Sequence, residues 1–472
     1  MAGTATGTGG FAKGGSLGRS AAGAVDLVGS VAGSKAVRAT GGSLGIAGAV
    51  IAAGLIAERR AVKKARARPD VPPQLRAGPI VGRATTVIAS DGVPLHVVES
   101  DPDDLAAAGV PAAAVVTQTR GNGSADGVSS AAAGDVRSDP PAGLGRLRWR
   151  WGSADLPERP TLVFVHGFCN TADSWCFQQR ALADLGPMVF YDQRAHGRSG
   201  RSEVARCTID QLADDLHAVL AARAPTGPIV LIGHSMGGMT ILGLAERHPE
   251  LFAERVVAVA LMSTSAGDLA RVTFGLPAGV SGAVRRVLPG LAVGMRHAPP
   301  LLERARRRGS DLAYSITRRV GFGTTDVPPS VVTFLEGEIA ATPIPVIMSF
   351  LPTLLAHDKL AAAAVLRHVP TLLMVGDHDL MTPLPHSRTL ADALPEAELV
   401  VEEGAGHALP LERPDAVNEH VRALIGRAHP AQAAHRSLLP WRWQRGAGQP
   451  ASDQPAPDQP ASDLPAAEAD RG

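Results

Sequence analysis

The sequence predicts an α/β fold: a doubly wound, mostly parallel sheet with a helical segment inserted between two of its strands. Three observations carry that prediction. Short apolar runs at 161–165, 188–192, 229–233, 256–263, 371–376 and 399–402 are too short for helices and suit strands buried on both faces. Helical periods separate the early runs, as at 208–222, where Leu212, Leu216, Val219 and Leu220 share one face. Strands alternating with helices imply parallel pairing, with active groups at the carboxyl ends of the strands. Residues 269–358 then break the alternation between two core strands. That stretch is helical and apolar in patches and is interrupted by Pro277, Pro289, Pro299, Pro300, Pro328, Pro329, Pro343 and Pro345.

The flanks have a different character. The chain has 472 residues, and the first 38 are mostly Gly, Ala, Ser and Thr, too poor in large apolar groups to offset ordering entropy. Residues 1–70 therefore read as a low-complexity N-terminus. Within it, residues 39–57 are uncharged and precede a Lys/Arg cluster at 58–68. Their length and weak hydrophobicity fit both a membrane span and a helix lying on a membrane surface. If they span, the positive-inside rule puts the rest of the chain in the cytoplasm. A cytoplasmic protein, free or attached to the inner face of the membrane, is the expectation.

The folded domain is expected at 71–427. Residues 85–90 and 94–100 flank Asp91-Gly92, a hairpin signal, and read as two antiparallel strands. Residues 101–145 read as a disordered insertion rich in Ala, Gly, Ser, Pro and Asp. Residues 146–151 alternate Arg with apolar groups, as an edge strand does, and are too few to make a nucleic-acid surface. Residues 428–472 read as a Pro/Ala/Asp-rich disordered tail. A net charge of +1 gives the chain as a whole no attraction for nucleic acid. Cys169, Cys176 and Cys207 have neither disulfide-framework nor metal-site spacing, and an odd count points to a reducing compartment.

The chemistry centres on Gly233-His234-Ser235-Met236-Gly237-Gly238. The segment sets a serine on a strand-to-helix turn whose neighbours tolerate almost no side chain. A helix starting just after Ser235 turns free N–H groups and its positive end toward the same point, which suits a developing anion. This stretch resembles the nucleophile elbow of the α/β-hydrolases, and further motifs in the right order extend the resemblance over about 85–427. It implies the α/β-hydrolase fold, with residues 269–358 as a helical cap.

The resemblance also implies a triad in the order Ser, acid, His. After run 371–376 comes Asp377-His378-Asp379, where family spacing makes Asp379 the acid and leaves Asp377 as the rival that holds the turn. After run 399–402 comes Gly404-Ala405-Gly406-His407, a glycine-rich loop that gives His407 the reach of a general base. Oxyanion donors are expected at the backbone N–H groups of Met236 and, in the His-Gly-x loop, Phe168. Residues 191–199 resemble a further family signature, with Ala195 where Gly is usual, and the substitution suggests a slightly altered turn. Asp192, Arg194, His166, His196 and His234 are read as scaffolding.

Family members that cleave epoxides or carbon–halogen bonds carry aspartate where this chain has Ser235, and epoxide hydrolases add cap tyrosines. Tyr191 and Tyr314 are the chain's two tyrosines. The expected function is therefore a serine hydrolase acting on a carboxylic ester or related acyl substrate, with no cofactor and no metal. Perhydrolase, acyltransferase or carbon–carbon bond hydrolase activity on the same triad is the alternative. A non-catalytic ligand-binding protein is the alternative of another class. Between 269 and 320, arginines interleave with apolar residues, which suits an anionic membrane surface and a lipid-like ester.

Overall fold

The structure is a computed structural model that describes residues 71–72, 75, 78–107, 159–273, 311–324 and 326–438. Two units divide the chain, 1–429 and 430–472. The first contains an eight-stranded sheet in the order β1-β2-β4-β3-β5-β6-β7-β8. β1 (Arg83–Ile88) and β2 (Pro94–Ser100) form an antiparallel hairpin. Gly92, at φ 86°, closes the turn, and the Ala89 and Val93 backbones bond across it at 2.9 Å. The turn takes up 89–93, so β1 ends earlier than the apolar pattern indicated. α1 (Pro102–Ala107) follows, a helix at the start of what reads in the sequence as a disordered insertion. Asp104 Oδ2 accepts the Asp101 N–H at 3.0 Å across its first turn.

β3 (Thr161–Val165) leads into α2 (Cys176–Leu182), and β4 (Met188–Tyr191) into α3 (Ile209–Arg223), whose N-cap Thr208 accepts the Gln211 N–H at 3.1 Å. β5 (Ile229–His234) is followed by α4 (Met236–Arg247) and α5 (Pro249–Glu254), then by β6 (Val256–Met262). Three described helices lie between β6 and β7 (Thr371–Gly376): α6 (Asp311–Gly321), α7 (Pro329–Ala341) and α8 (Ile344–Leu355). α9 (Leu384–Ala393), β8 (Glu398–Glu402), α10 (Leu409–Glu412) and α11 (Pro414–Leu438) complete the order. β2 pairs antiparallel with β4, and every later pairing is parallel.

The period-two alternation of the central strands splits the core into two layers. Leu162, Phe164, Val230, Ile232, Leu372 and Met374 face one side. Val163, Val165, Leu231, Val259, Leu261 and Leu373 face the other, against α3 and α4. A buried ion-pair cluster ties the hairpin to this frame: Arg194 bonds Asp215 on α3 through two contacts of 2.6 Å and reaches Asp91 at 2.8 Å. That gives Arg194 the scaffolding role read from its loop.

No single described helix is long and apolar enough to cross a membrane; α7 and α8 pass such a test only together and meet at a 92° bend. Pro343, just before α8, accounts for the break. The segment 39–57, the basic-aromatic stretch 146–151 and the tail beyond 438 lie outside the described residues. α11 runs past residue 427, where the sequence places the end of the folded domain.

Candidate active site

Ser235 sits between β5 and α4 at φ 53° and ψ −118°, a conformation that costs on the order of 1–3 kcal/mol. Its neighbours pay for none of that with side-chain bulk. A Cβ on Gly237 would lie 2.0 Å from the Val165 carbonyl oxygen, and one on Gly238 2.6 Å from Thr264 Oγ1. β6 anchors the serine from beside it. The Ser235 N–H donates to the Met262 carbonyl at 2.9 Å, and Thr264 Oγ1 donates to the Ser235 carbonyl at 2.7 Å.

His407 lies on the loop after β8, with Nε2 2.9 Å from Ser235 Oγ. Its Nδ1 is 2.9 Å from Asp379 Oδ2 and 3.1 Å from Oδ1. With Nδ1–H facing the carboxylate, Nε2 is left as the acceptor for the serine proton. Asp379 also accepts the N–H groups of Met381 (2.8 Å) and Thr382 (2.9 Å) and the Thr382 hydroxyl (2.9 Å). Burial on its own raises the Asp379 pKa, but His407 and those backbone donors outweigh it and hold the carboxyl well below the usual carboxylate range. Asp377 does something else: its Oδ1 accepts the Gly404 N–H at 2.7 Å and ties the β7 turn to the histidine loop.

The backbone N–H groups of Phe168 and Met236 donate to no acceptor among the described residues. Phe168 belongs to a loop fixed at both ends. At its start, His166 Nε2 accepts the Gln193 N–H at 2.9 Å, so Nδ1 carries the proton and donates to the Gly167 carbonyl at 2.8 Å. At its end, Asp192 Oδ1 accepts the Ala172 N–H at 2.8 Å. His234 Nε2 donates to the His407 carbonyl at 2.8 Å, and burial pushes its pKa down to about 3, so it stays a neutral donor. Ala195 takes φ 63°, a left-handed backbone that favours glycine.

The sequence profile described as the alpha/beta hydrolase family matches residues 162–420, more than half of the chain. The chain belongs to the alpha/beta hydrolase family. With the family comes the enzyme class, hydrolase. The chain is 24% identical over 267 residues to a provisionally named carbamate hydrolase, RutD, of Rhizobium rhizogenes, across 57% of this chain and 93% of the relative. It is 37% identical over 132 residues to epoxide hydrolase A of Mycobacterium tuberculosis, across 27% and 38% of the two chains. Among solved structures it resembles a thermophilic esterase of Thermogutta terrifontis, with 20% identity, a TM-score of 0.49 and coverage of 74% of this chain and 100% of the other.

Further groups of this hydrolase went unseen in the sequence. Glu412, at the end of α10, accepts the N–H groups of Gly406 (2.6 Å), Gly323 (3.0 Å) and Thr324 (3.1 Å), and so joins the His407 loop to the inserted segment. Glu338 on α7 reaches the Phe168 loop in a similar way at Thr171. A second serine–histidine contact, Ser265 Oγ to His386 Nδ1 at 2.8 Å, borders a cavity of about 250 Å³. Ser265 already donates its proton to the Gly267 carbonyl at 2.5 Å, which leaves His386 no proton to take. Among the described residues, no cluster of His, Cys, Asp and Glu is placed to hold a metal ion.

Proposed function

We propose that the chain is a serine hydrolase of carboxylic esters or related acyl compounds, acting through Ser235, His407 and Asp379. The observation that carries this reading is the unbroken hydrogen-bonded chain from Ser235 Oγ through His407 to Asp379, at 2.9 Å per step. As His407 Nε2 takes its proton, Ser235 Oγ bonds to the acyl carbon, and the carbonyl oxygen becomes an oxyanion. The N–H groups of Met236 and Phe168, which donate to no acceptor among the described residues, are the donors this reading assigns to it. Collapse breaks the bond to the alcohol, which leaves with the proton from His407. Water then attacks the acyl-enzyme, gives its proton to His407, and the acid departs as Ser235 regains its hydrogen.

A carbamate, as in the name of the Rhizobium rhizogenes relative, presents the same kind of carbonyl to this machinery. Epoxide opening is disfavoured because serine stands at the nucleophile position. A purely binding protein has no need of an imidazole held between a serine and a carboxylate. The test is labelling with a fluorophosphonate probe, followed by turnover of esters of graded acyl length. Labelling at Ser235 that disappears in Ser235→Ala, together with ester turnover lowered by several orders of magnitude, is expected. Ester turnover by folded Ser235→Ala at the wild-type rate would sink the reading.

The substrate class we favour is apolar and lipid-like. Met236 and Met239 of the elbow helix form one cluster with Val346 and Phe350 of α8, and Phe168, Leu269 and Leu354 pack against it. On α6, Leu312 and Ile316 are 59% and 54% exposed, with exposed Arg319 next on the same face. An apolar stripe beside a cation fits an anionic lipid surface. Sedimentation with anionic vesicles at low salt is expected to fall when Leu312 and Ile316 are both changed to Gln. Equal sedimentation of the two proteins would remove α6 from the account.

A further inference from the structure

We infer that Glu338 is a positioning residue for the proposed oxyanion hole: its carboxylate, carried on the inserted helix α7, clamps Thr171 and so fixes the loop that presents the Phe168 N–H. The inference rests on the reading of Ser235 as nucleophile. Glu338 Oε2 accepts the Thr171 N–H and Oε1 the Thr171 hydroxyl, both at 2.7 Å, across 167 residues of sequence. Thr171 lies three residues beyond Phe168 and caps the short turn 172–175, its Oγ1 accepting the Asp173 N–H at 3.2 Å. Two further fixings of this loop, from Gln193 and Asp192, come from the sheet's own β4 loop. Glu338 alone among these carboxylate and amide partners comes from the segment between β6 and β7. The position of the inserted helices is thereby coupled to the position of an oxyanion donor.

The clamp is also built to respond to pH. Asp173 and Asp192 face the same loop, where Arg198 reaches both, at 3.4 and 3.3 Å, and the Cys176 thiol stays neutral with its pKa pushed up to about 12, chiefly by burial. Burial, helped by the two aspartates and opposed by the Thr171 contacts, lifts the Glu338 carboxyl to about 7. Above that value the carboxylate accepts both Thr171 donors. Below it, one oxygen bears a proton and only one acceptor site of full strength remains for the N–H.

The test uses the full chain, Glu338→Ala, Glu338→Gln and Thr171→Val, with an activated short-chain ester and a fluorophosphonate. Glu338→Ala is expected to lower kcat roughly tenfold to a hundredfold, less than the loss of a whole donor, with KM within about twofold. The amide of Glu338→Gln still accepts the N–H and donates to Thr171 Oγ1, so it restores most of kcat and removes the change in kcat near pH 7 that wild type adds to its remaining profile. Thr171→Val is expected to lower kcat roughly fivefold, and its loss should not add to that of Glu338→Ala. If Glu338→Ala does not fold, the Thr171→Val kcat and the Glu338→Gln pH profile carry the test. Wild-type kcat in a thermally weakened Glu338→Ala, or in Thr171→Val, would make the contact merely structural and overturn the inference. Failure of the probe to label wild-type Ser235 would instead overturn the nucleophile reading, and the inference with it.

Discussion

Asp377 and Asp379 stand two residues apart and have opposite duties. Asp379 faces His407 Nδ1 with both oxygens, whereas Asp377 spends its Oδ1 on the Gly404 N–H. Asn at 377 keeps a carbonyl oxygen that can accept that N–H, so Asp377→Asn should leave kcat within about threefold. Asp379→Asn removes the charge that stabilises an imidazolium, and its amide can hold the wrong imidazole tautomer, so a fall of roughly 10²–10⁴ in kcat is expected. Steady-state kinetics on the two proteins decide it; a severe Asp377→Asn with a mild Asp379→Asn would exchange their roles. The sequence could separate these aspartates only through the resemblance to a family pattern, because both follow the same strand. Thr382 and Glu412 left no comparable trace. Thr382 gives both its N–H and its hydroxyl to Asp379, and Glu412 accepts the Gly406 N–H; a backbone N–H has no signature in a sequence.

Among the elements, the elbow is set by contact distances that only glycine satisfies. Gly237 lies in the first turn of α4, where alanine would ordinarily favour the helix, yet its Cβ would press on the Val165 carbonyl at 2.0 Å. Gly237→Ala should therefore destabilise by on the order of 1–3 kcal/mol and lower kcat as Ser235 shifts. Gly426, within α11, has nothing within 4 Å of its Cβ position, and Gly426→Ala should instead stabilise by roughly 0.5–1 kcal/mol. Thermal denaturation of the pair gives opposite signs if the elbow is contact-limited, and like signs if it is not. These same close approaches explain why the elbow was legible: the glycine spacing is the physical requirement itself. The strands were legible for a related reason, since β5 and β7 are buried along their whole length and β3 at all but its first residue, and they appear as largely apolar runs. α1 was not, because a six-residue helix shows too little of a period to stand out from an Ala-rich stretch. The end of α11 was missed where Pro430 interrupts the pattern without ending the helix.

Taken whole, the molecule keeps several histidines neutral in its interior, and this sets how it answers acid. Burial is the main cause in each case: it lowers His166 from its ordinary value, His196 and His234 to about 3, and His357 to about 4. Released by unfolding, each binds a proton below about pH 6.5 that the folded chain refuses. The unfolded state then holds more protons, so stability falls as pH falls, by about 1.36 kcal/mol per pH unit for each such histidine. Glu338, raised to about 7, and Asp215, raised chiefly by burial, work in the opposite direction above the ordinary carboxylate value. Asp379, held low, is a later loss: its contribution is intact above the ordinary carboxylate value and disappears only as pH falls below it. Acid should therefore weaken the fold in two stages, the first beginning near pH 6.5 and well above the range of carboxylate titration. The measurement is the urea midpoint from pH 8 to pH 4 for wild type and for His357→Gln, whose amide can still donate to the Ser265 carbonyl in place of Nε2. The variant should show a shallower slope between about pH 6.5 and 4, by one histidine's share. A midpoint unchanged from pH 7 to pH 5 in both proteins would mean that these imidazoles take up protons in the folded chain as readily as in the unfolded one, and that His166 Nε2 is not held as the acceptor of the Gln193 N–H.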